Sequence, residues 1–480
     1  MARKYFLKSG LIYAIQPFLE RGVAVLLIPI YTSYLTPSSF GEWQFFYSLS
    51  FFLLPIMNAG IDAACWHFWG NPEKYTERTI FINACIAKSA TGLIVLIGVV
   101  MPTLLAIEWK LSLEFFLYIT SAFLLSYFQI FQQYLRARNF AGSYLTLALS
   151  YAAILGSLNI IGVTILRLDF KGILFGNVTA NIIAFAGALI FANNYRAVTD
   201  RFDIKLIRSL IKYGFPLIFG SIGYVFISQS DKFFLKILST ENDLGLYSFG
   251  SQFASLITAL IITPIFSWWN PILRWEIYRR KDGGEVFSRL NRIIVVILPL
   301  VTLIMIGGVV FVGKHLVSND AYLEGFSVTP LLGFGQAFFA LYSFNTIGLL
   351  FQNRTKTIAA IVVASALTNI GLNFLLVPSL AMYGAALASF LSFFLMYVSS
   401  SFFSQRTYPI QRDRLLEPAM TILSTLVALG VTYSIIRGWV LPQNIDIIFL
   451  TPGLFLVILI AAIYRKILAS FIHLSFNRML

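Results

Sequence analysis

Residues 292–313 read RIIVVILPLVTLIMIGGVVFVG, an arginine followed by 21 positions without a charge. A helix rises 1.5 Å per residue, so about 20 apolar residues cross the roughly 30 Å hydrocarbon core of a bilayer. The same ruler moved along the chain marks spans near 10–31, 41–66, 80–102, 112–134, 143–166, 172–193, 213–237, 245–269, 292–313, 327–351, 357–377, 381–403, 418–437 and 446–464. The composition agrees. Of 480 residues 58% are hydrophobic and 12% charged, where a soluble surface needs roughly 25% charged. Mean hydropathy is +0.80, and 46 Phe with 23 Tyr need lipid as their solvent. The expected fold is all-α: a polytopic membrane protein of about 14 transmembrane helices.

The net charge of +14 does not indicate nucleic acid, because the basic residues sit in short tracts between apolar runs. With the N-terminus placed inside and the loops numbered alternately, 26 of the 35 Lys and Arg fall in inside segments. Only Lys110, Arg167, Lys171, Lys314 and Arg437 fall outside, and Arg21, Lys88, Lys232 and Lys236 fall within spans. Positive residues are retained in the cytoplasm during insertion. The alternation therefore supports an even number of spans, with both termini cytoplasmic. Arg3, Lys4 and Lys8 before an apolar stretch resemble a signal peptide, but residues 11–31 are long enough to span and read as a retained first helix.

The chain repeats itself at an offset of 204. Gly10 and Gly41 fall on Gly214 and Gly245, Thr36 on Thr240, Phe45 on Phe249, and Trp43 on Tyr247. Later, Asn159 before Gly172 echoes Asn373 before Gly384. An even number of spans separates the repeats, so the halves run parallel, as in transporters built from two bundles around a central cavity. The expected organisation is an N-terminal lobe over 1–195, an amphipathic linker helix over 196–212, a C-terminal lobe over 213–404, and two further spans within 405–480. In the linker, Phe202, Leu206, Ile207, Leu210 and Ile211 oppose Lys205, Arg208 and Lys212, a pattern suited to lying on an anionic leaflet.

Familiar catalytic patterns are missing. There is no phosphate-binding G-x-x-x-x-G-K-[ST] and no H-E-x-x-H, and His67, His315 and His473 are scattered. Cys65 and Cys85 make no disulfide framework and are too few for a metal site. The first external loop, 32–40, holds no acid, and the longest, 313–326, is modest. Both facts count against a membrane glycosyltransferase or polymerase. No cofactor is expected.

Ionisable residues inside a membrane are costly and mark function by default. Glu20 and Arg21 lie near mid-membrane in the first span, Gln16 shares a face with Glu20, and Pro17 can kink the helix. Arg21 suits an anionic headgroup in an aqueous cavity, or alternatively an ion pair within the bundle. Lys88 reads as cavity lining or as a snorkelling side chain. In the seventh span Ser221, Tyr224, Ser228 and Asp231 form one polar face, with Gln229, Lys232 and Lys236 beside it. Asp231 and Lys232 are candidates for an outer gate or, with Lys232, for the cationic cavity. Lys236 reads as a snorkelling edge residue. Asp62 is either an inner gate or a solvated cap. Asn159, Asn177, Asn181, Asn369, Asn373, Gln229 and Gln252 are expected to hydrogen-bond between helices, and Trp268 and Trp269 to form an aromatic belt.

Several passages together resemble one family. They are Ser9-Gly10 with Glu20-Arg21; Pro29 to Pro37 followed by Phe40-Gly41; Gly60-Ile61-Asp62; Asp231-Lys232 followed by Leu244-Gly245-Leu246-Tyr247; and Tyr383-Gly384-Ala385-Ala386. Over essentially its full length the chain resembles Wzx-type polysaccharide flippases of the oligosaccharide-lipid exporter superfamily, which also contains multidrug extruders and lipid II flippases. The resemblance implies two six-helix lobes plus two C-terminal helices, and alternating access around a cationic cavity. The cargo it implies is an oligosaccharide on a polyprenyl diphosphate, moved from the cytoplasmic to the outer leaflet of the bacterial inner membrane for O-antigen, capsule or exopolysaccharide. Arg21, Lys88 and Lys232 would meet the diphosphate, and Glu20, Asp62 and Asp231 would gate or couple to a proton or sodium gradient. Gln16, Ser221, Tyr224 and Ser228 would offer polar contacts, and the last two spans a groove for the lipid tail. Expected partners are membrane lipids, a polysaccharide polymerase and chain-length machinery, but no nucleic acid, for a protein acting as a monomer. A cation-coupled multidrug or small-solute antiporter is the competing reading, since the fold is shared. Twelve spans are usual there.

Overall fold

The computed structural model describes residues 25–69, 75–95, 97–98, 109–138, 140–194, 202–263, 277–352, 354–413, 415–451 and 453. Among these the regular structure is helical throughout and no strand occurs. Among the described residues nine helices are long and apolar enough to cross a membrane, and a bent pair adds a tenth. Gln16, Glu20, Arg21, Trp268 and Trp269 lie outside the described residues.

One compact unit comprises Met1–Ser248 and Ala359–Ala388. Its helices are α1 (Ile28–Tyr34), α2 (Pro37–Asn58), α3 (Ile61–Trp69), α4 (Glu77–Val95), α5 (Trp109–Ala137), α6 (Ala141–Ile160), α7 (Phe170–Asn194), α8 (Ile204–Leu238) and the first turns of α9 (Glu241–Ile257). Thr36 caps α2 by accepting from the Ser39 N–H, with Pro37 at its first position, where a missing N–H costs nothing. The helix ends at Ala59 and Gly60, both left-handed (φ 46° and 67°), and α3 leaves at 50°. This corner forms because Gly60 has no side chain. A Cβ there would lie 2.0 Å from the Gly214 carbonyl oxygen of α8. A bent second span is the result.

The linker differs from expectation. Asp203 accepts from the Lys205 and Leu206 N–H groups and starts α8, which then runs unbroken for 35 residues into the seventh span. Leu206 and Leu210 are fully buried in the core with Ile80, Phe81 and Tyr134. Lys205, Arg208 and Lys212 are exposed. Leu206, Ile207 and Leu210 of the linker are thus covered by protein, while Phe202 stays exposed. α8 packs along α2, α3 and α4. That packing draws the seventh span into the same unit as the first six.

The repeat is visible in the hydrogen bonds. Asn159 of the fifth span donates to the Tyr31 hydroxyl of the first (3.1 Å), and Asn373 of the eleventh donates to Asp231 of the seventh (2.9 Å). Asn177 donates to the Tyr118 hydroxyl and Asn181 to the Ser121 hydroxyl. Ser230 donates to Asn369. These asparagines do join helices, as expected. The side-chain carbonyl of Gln229 is buried without a partner.

The second unit comprises Phe249–Ile358 and Ser389–Leu480. It holds the rest of α9, α10 (Gly283–Leu316), α11 (Thr329–Phe351), the ends of α12 (Thr355–Thr407) and α13 (Leu416–Ile436). At 53 residues α12 is about 80 Å long, too long for one span. Its helical geometry breaks at Ala381 (φ 47°), after Pro378. Gly384 fits the corner because a Cβ would lie 2.4 Å from the Leu376 carbonyl oxygen. The eleventh and twelfth spans meet there. In the short connection to α13, Arg412 binds Glu417 (3.0 Å) and Asn345 (3.3 Å), while Tyr397 and Asn291 also donate to Glu417. Asp413 accepts from the Leu415 and Leu416 N–H groups and so caps α13.

Two outcomes follow from this geometry. Gly60→Ala combines a strained left-handed residue with a steric overlap and costs about 3 kcal/mol; unfolding at the parent's temperature in detergent would contradict it. The Leu416 and Leu415 N–H groups hold the Asp413 carboxyl below its ordinary value. Its stabilisation is therefore complete above the ordinary carboxylate range and is lost as pH falls through the lowered value. Asp413→Ala should unfold at a lower temperature than the parent at neutral pH, and the gap should close in strong acid.

Candidate functional site

Among the described residues, the buried charged side chains of the first unit collect at two places. The first lies just past the corner at Gly60. Asp62, in the first turn of α3, reaches the Lys88 ammonium of α4 at 2.7 Å. That ammonium also donates to the Ser126 carbonyl oxygen of α5 at 3.0 Å. The Lys88 side chain is 1% exposed and that of Asp62 25% exposed. Lys88 neither snorkels nor stands free in a cavity. It is spent on a salt bridge and a carbonyl. His67, one helical turn on from Asp62, stacks on Tyr213 of α8 at 4.2 Å. Cys65 and Cys85 are free thiols, and among the described residues no three of His, Cys, Asp and Glu gather.

The second place is the far end of α8, which is the external end on the charge pattern. Adjacent residues on a helix point about 100° apart, so Asp231 and Lys232 face different neighbours. Asp231, 1% exposed, accepts from the Asn373 amide and the Tyr247 hydroxyl. Lys232, also buried, donates to Gln44 of α2 at 3.1 Å. Lys236, one turn further, is held by Glu42 of α2 and by Glu241 at 2.8 Å. This corrects its reading as a snorkelling residue, since a carboxylate stood at the same depth on the neighbouring span. Below this ladder Phe45 meets Phe233, and Phe52 meets Phe226 and Phe233, with centroids 4.9–5.2 Å apart. Ser228 turns its hydroxyl to the Val225 carbonyl of its own helix. Ser221 and Tyr224 lie on α8, and their side chains are outside the described residues.

At the same end α2 and α9 cross without side chains between them. A Cβ on Gly41 would lie 2.8 Å from the Glu241 carbonyl oxygen, and one on Gly245 would lie 1.8 Å from the Pro37 carbonyl oxygen. Residues 37 and 241 differ by 204, as do 41 and 245. Each glycine therefore meets the repeat-mate of the residue its own mate meets. Sequence reading missed Glu42, Gln44 and Glu241. The signal for Glu42 and Lys236 was available: each sits within two residues of the same edge of its span.

In the second unit, α10, α11, α13 and the residues around Phe449 line a half-open apolar cavity of about 340 Å³, bordered among others by Leu300, Leu303, Phe334, Leu423 and Val427.

A helical bundle that crosses the membrane many times and carries its buried charges on packed helices is the frame of a polytopic membrane protein. The chain belongs to the family described as "Polysaccharide biosynthesis protein", whose model matches residues 6–274. Its fold is shared with the lipid II flippase MurJ (TM-score 0.70, 14% identity, 96% of this chain and 100% of that one). It is also shared with a multidrug resistance MATE family transporter of the MOP superfamily (TM-score 0.59, 10% identity, 82% and 94%). An uncharacterized membrane protein of Haemophilus influenzae is 24% identical over 387 residues, 76% of this chain and 89% of its own length. The resemblance noted in the sequence thus holds at the level of the polysaccharide biosynthesis family and of the fold.

The salt bridge near the corner makes an asymmetric prediction. Asp62→Ala strands a buried ammonium and should cost about 3 kcal/mol, whereas Lys88→Met leaves a carboxylate that water can reach and should cost about 1 kcal/mol. Thermal unfolding of both variants in detergent checks the order; equal costs would show that Asp62 is as deeply desolvated as Lys88.

Proposed function

We propose that this protein is a flippase that carries oligosaccharides linked to a polyprenyl diphosphate from the cytoplasmic to the outer leaflet of a bacterial inner membrane, with both termini cytoplasmic. The observation that carries the reading is membership of the polysaccharide biosynthesis family on a chain with the fold of a lipid II flippase. Physical chemistry supports the cargo. A diphosphate needs cations in a place that excludes bulk water, and the guanidinium of an arginine such as Arg21, expected within the first span, would supply a planar donor fork. Lys88 and Lys232, held by Asp62 and Gln44, join it only in conformations that release them. The apolar cavity in the second unit suits an isoprenoid tail. Transport without bond chemistry at the protein, powered by a proton or sodium gradient, fits the absence of catalytic motifs from the sequence. A polymerase and chain-length proteins would take the product.

The multidrug antiporter reading is supported by the shared fold. MurJ, however, covers 96% of this chain and the antiporter 82%, and that difference favours the flippase.

The test is flipping of a defined polyprenyl-diphosphate oligosaccharide in reconstituted vesicles, with proton and sodium gradients imposed in turn. Charge-assisted hydrogen bonds of roughly 1.5–3 kcal/mol imply that Arg21→Ala flips at least about tenfold more slowly while still inserting. Flipping by that variant at the parent's rate removes the diphosphate role, and a parent that flips nothing under either gradient removes the cargo.

A further inference from the structure

We propose that the exposed basic edge of α8, made by Lys205, Arg208 and Lys212, first holds the diphosphate of the polyprenyl-linked cargo on the cytoplasmic side. The proposal deepens the transport reading above and rests on it.

The edge is fixed in direction and its charges are unspent. Successive residues of a helix turn by 100°, so positions 205, 208 and 212 fall within about 60° of one another. Leu206 and Leu210 lie on the opposite side, buried in the core with Ile80 and Tyr134. The three cations are therefore held outward, and all three are exposed. Asp203, the acid nearest in sequence, is taken up by the Lys205 and Leu206 N–H groups. Lys88 meets Asp62 and Arg138 meets Glu77, whereas among the described residues Lys205, Arg208 and Lys212 meet no carboxylate.

The shape of the edge selects the headgroup. α8 runs unbroken from Ile204 to Leu238, and hydropathy places the span over 213–237. From Lys205 to Lys212 the axis rises roughly 10 Å. The cations thus stand at successive distances from the edge of the span. A leaflet of ordinary anionic phospholipids offers its phosphates at one depth. A lipid whose headgroup is a diphosphate bearing sugars offers two phosphates in a row, directed away from its chain. Below the cations, Phe215 (54% exposed) and Pro216 carry the same side into the span as apolar surface. Tyr213, stacked on His67, stands at the junction. A headgroup on the cations therefore leaves its chain against an apolar face.

The sequence repeat supplies an independent observation. At the offset of 204, Arg208 and Lys212 fall on Lys4 and Lys8, ahead of Gly214 and Gly10. Topology asks only for positive residues near the cytoplasmic end of a span. It does not ask for a pair four apart, at the same register, before the leading span of each half.

Two measurements on the full chain test this. In vesicles of neutral phosphatidylcholine, Lys205→Gln/Arg208→Gln/Lys212→Gln should need about tenfold more polyprenyl-diphosphate oligosaccharide for half-maximal flipping, with the maximal rate kept. The gap should shrink as salt shortens the reach of the charges, from about 30 Å at 0.01 M to about 3 Å at 1 M. Arg208→Lys/Lys212→Arg should behave as the parent. A fall in maximal rate with unchanged half-saturation overturns the proposal, because it marks a structural role. The second measurement needs no transport. Sugar-free polyprenyl diphosphate should bind the triple glutamine variant about tenfold more weakly than the parent. Equal binding overturns the edge and leaves the transport reading standing. Displacement of that probe from the parent by an equal concentration of phosphatidylglycerol also overturns it, assigning the edge to ordinary anionic lipid. If the probe binds through these residues while the parent flips no polyprenyl-linked sugar, the edge stands and the transport reading falls.

Discussion

Lys88 cannot leave its ammonium unpaired between three helices, and the unit around it is arranged to prevent that. Hydrocarbon offers no hydrogen bonds, so a charge or a backbone group placed there is satisfied by protein or does not stay. Asp62 meets this demand only because the chain turns at Ala59 and Gly60. That turn in turn exists only because Gly60 and Gly214 allow two backbones to touch. One unsolvated charge therefore links a bend, a glycine contact and the packing of α3 against α4 and α8.

The same demand explains how α8 divides its surface. Its Asp231 side looks to Tyr247 and Asn373, and its Lys232 and Lys236 side looks to α2. Asp231, Lys232 and Lys236 each have a partner of matching chemistry, while Lys205, Arg208 and Lys212 at its other end are exposed. A stripe of polar residues on an apolar helix is thus a set of addresses for neighbours as much as a lining for a cavity.

Much of this was legible in the sequence. The run 292–313 announced a membrane span, the spans drawn at 357–377 and 381–403 divide the 53-residue helix next to its break at Ala381, and Gly41 and Gly245 were paired by their spacing. Partners were harder to read. Lys236 and Glu42 are 194 residues apart, and nothing local distinguishes a lysine that reaches for headgroups from one that meets a carboxylate. That difference is decided by the relative depth of two helices. Amphipathicity had the same limit at the linker. It shows that Leu206 and Leu210 need an apolar cover, and both lipid and protein can supply one.

The contact at Gly41 and Gly245 is isologous, the kind two identical subunits make across a two-fold axis. A pair of half-length chains, each ending near the linker, would meet in the same way. The present chain makes that reciprocal contact with itself. The Lys236–Glu42 ion pair breaks the reciprocity, since the positions that match these two residues at the offset of 204 are Thr32 and Leu246.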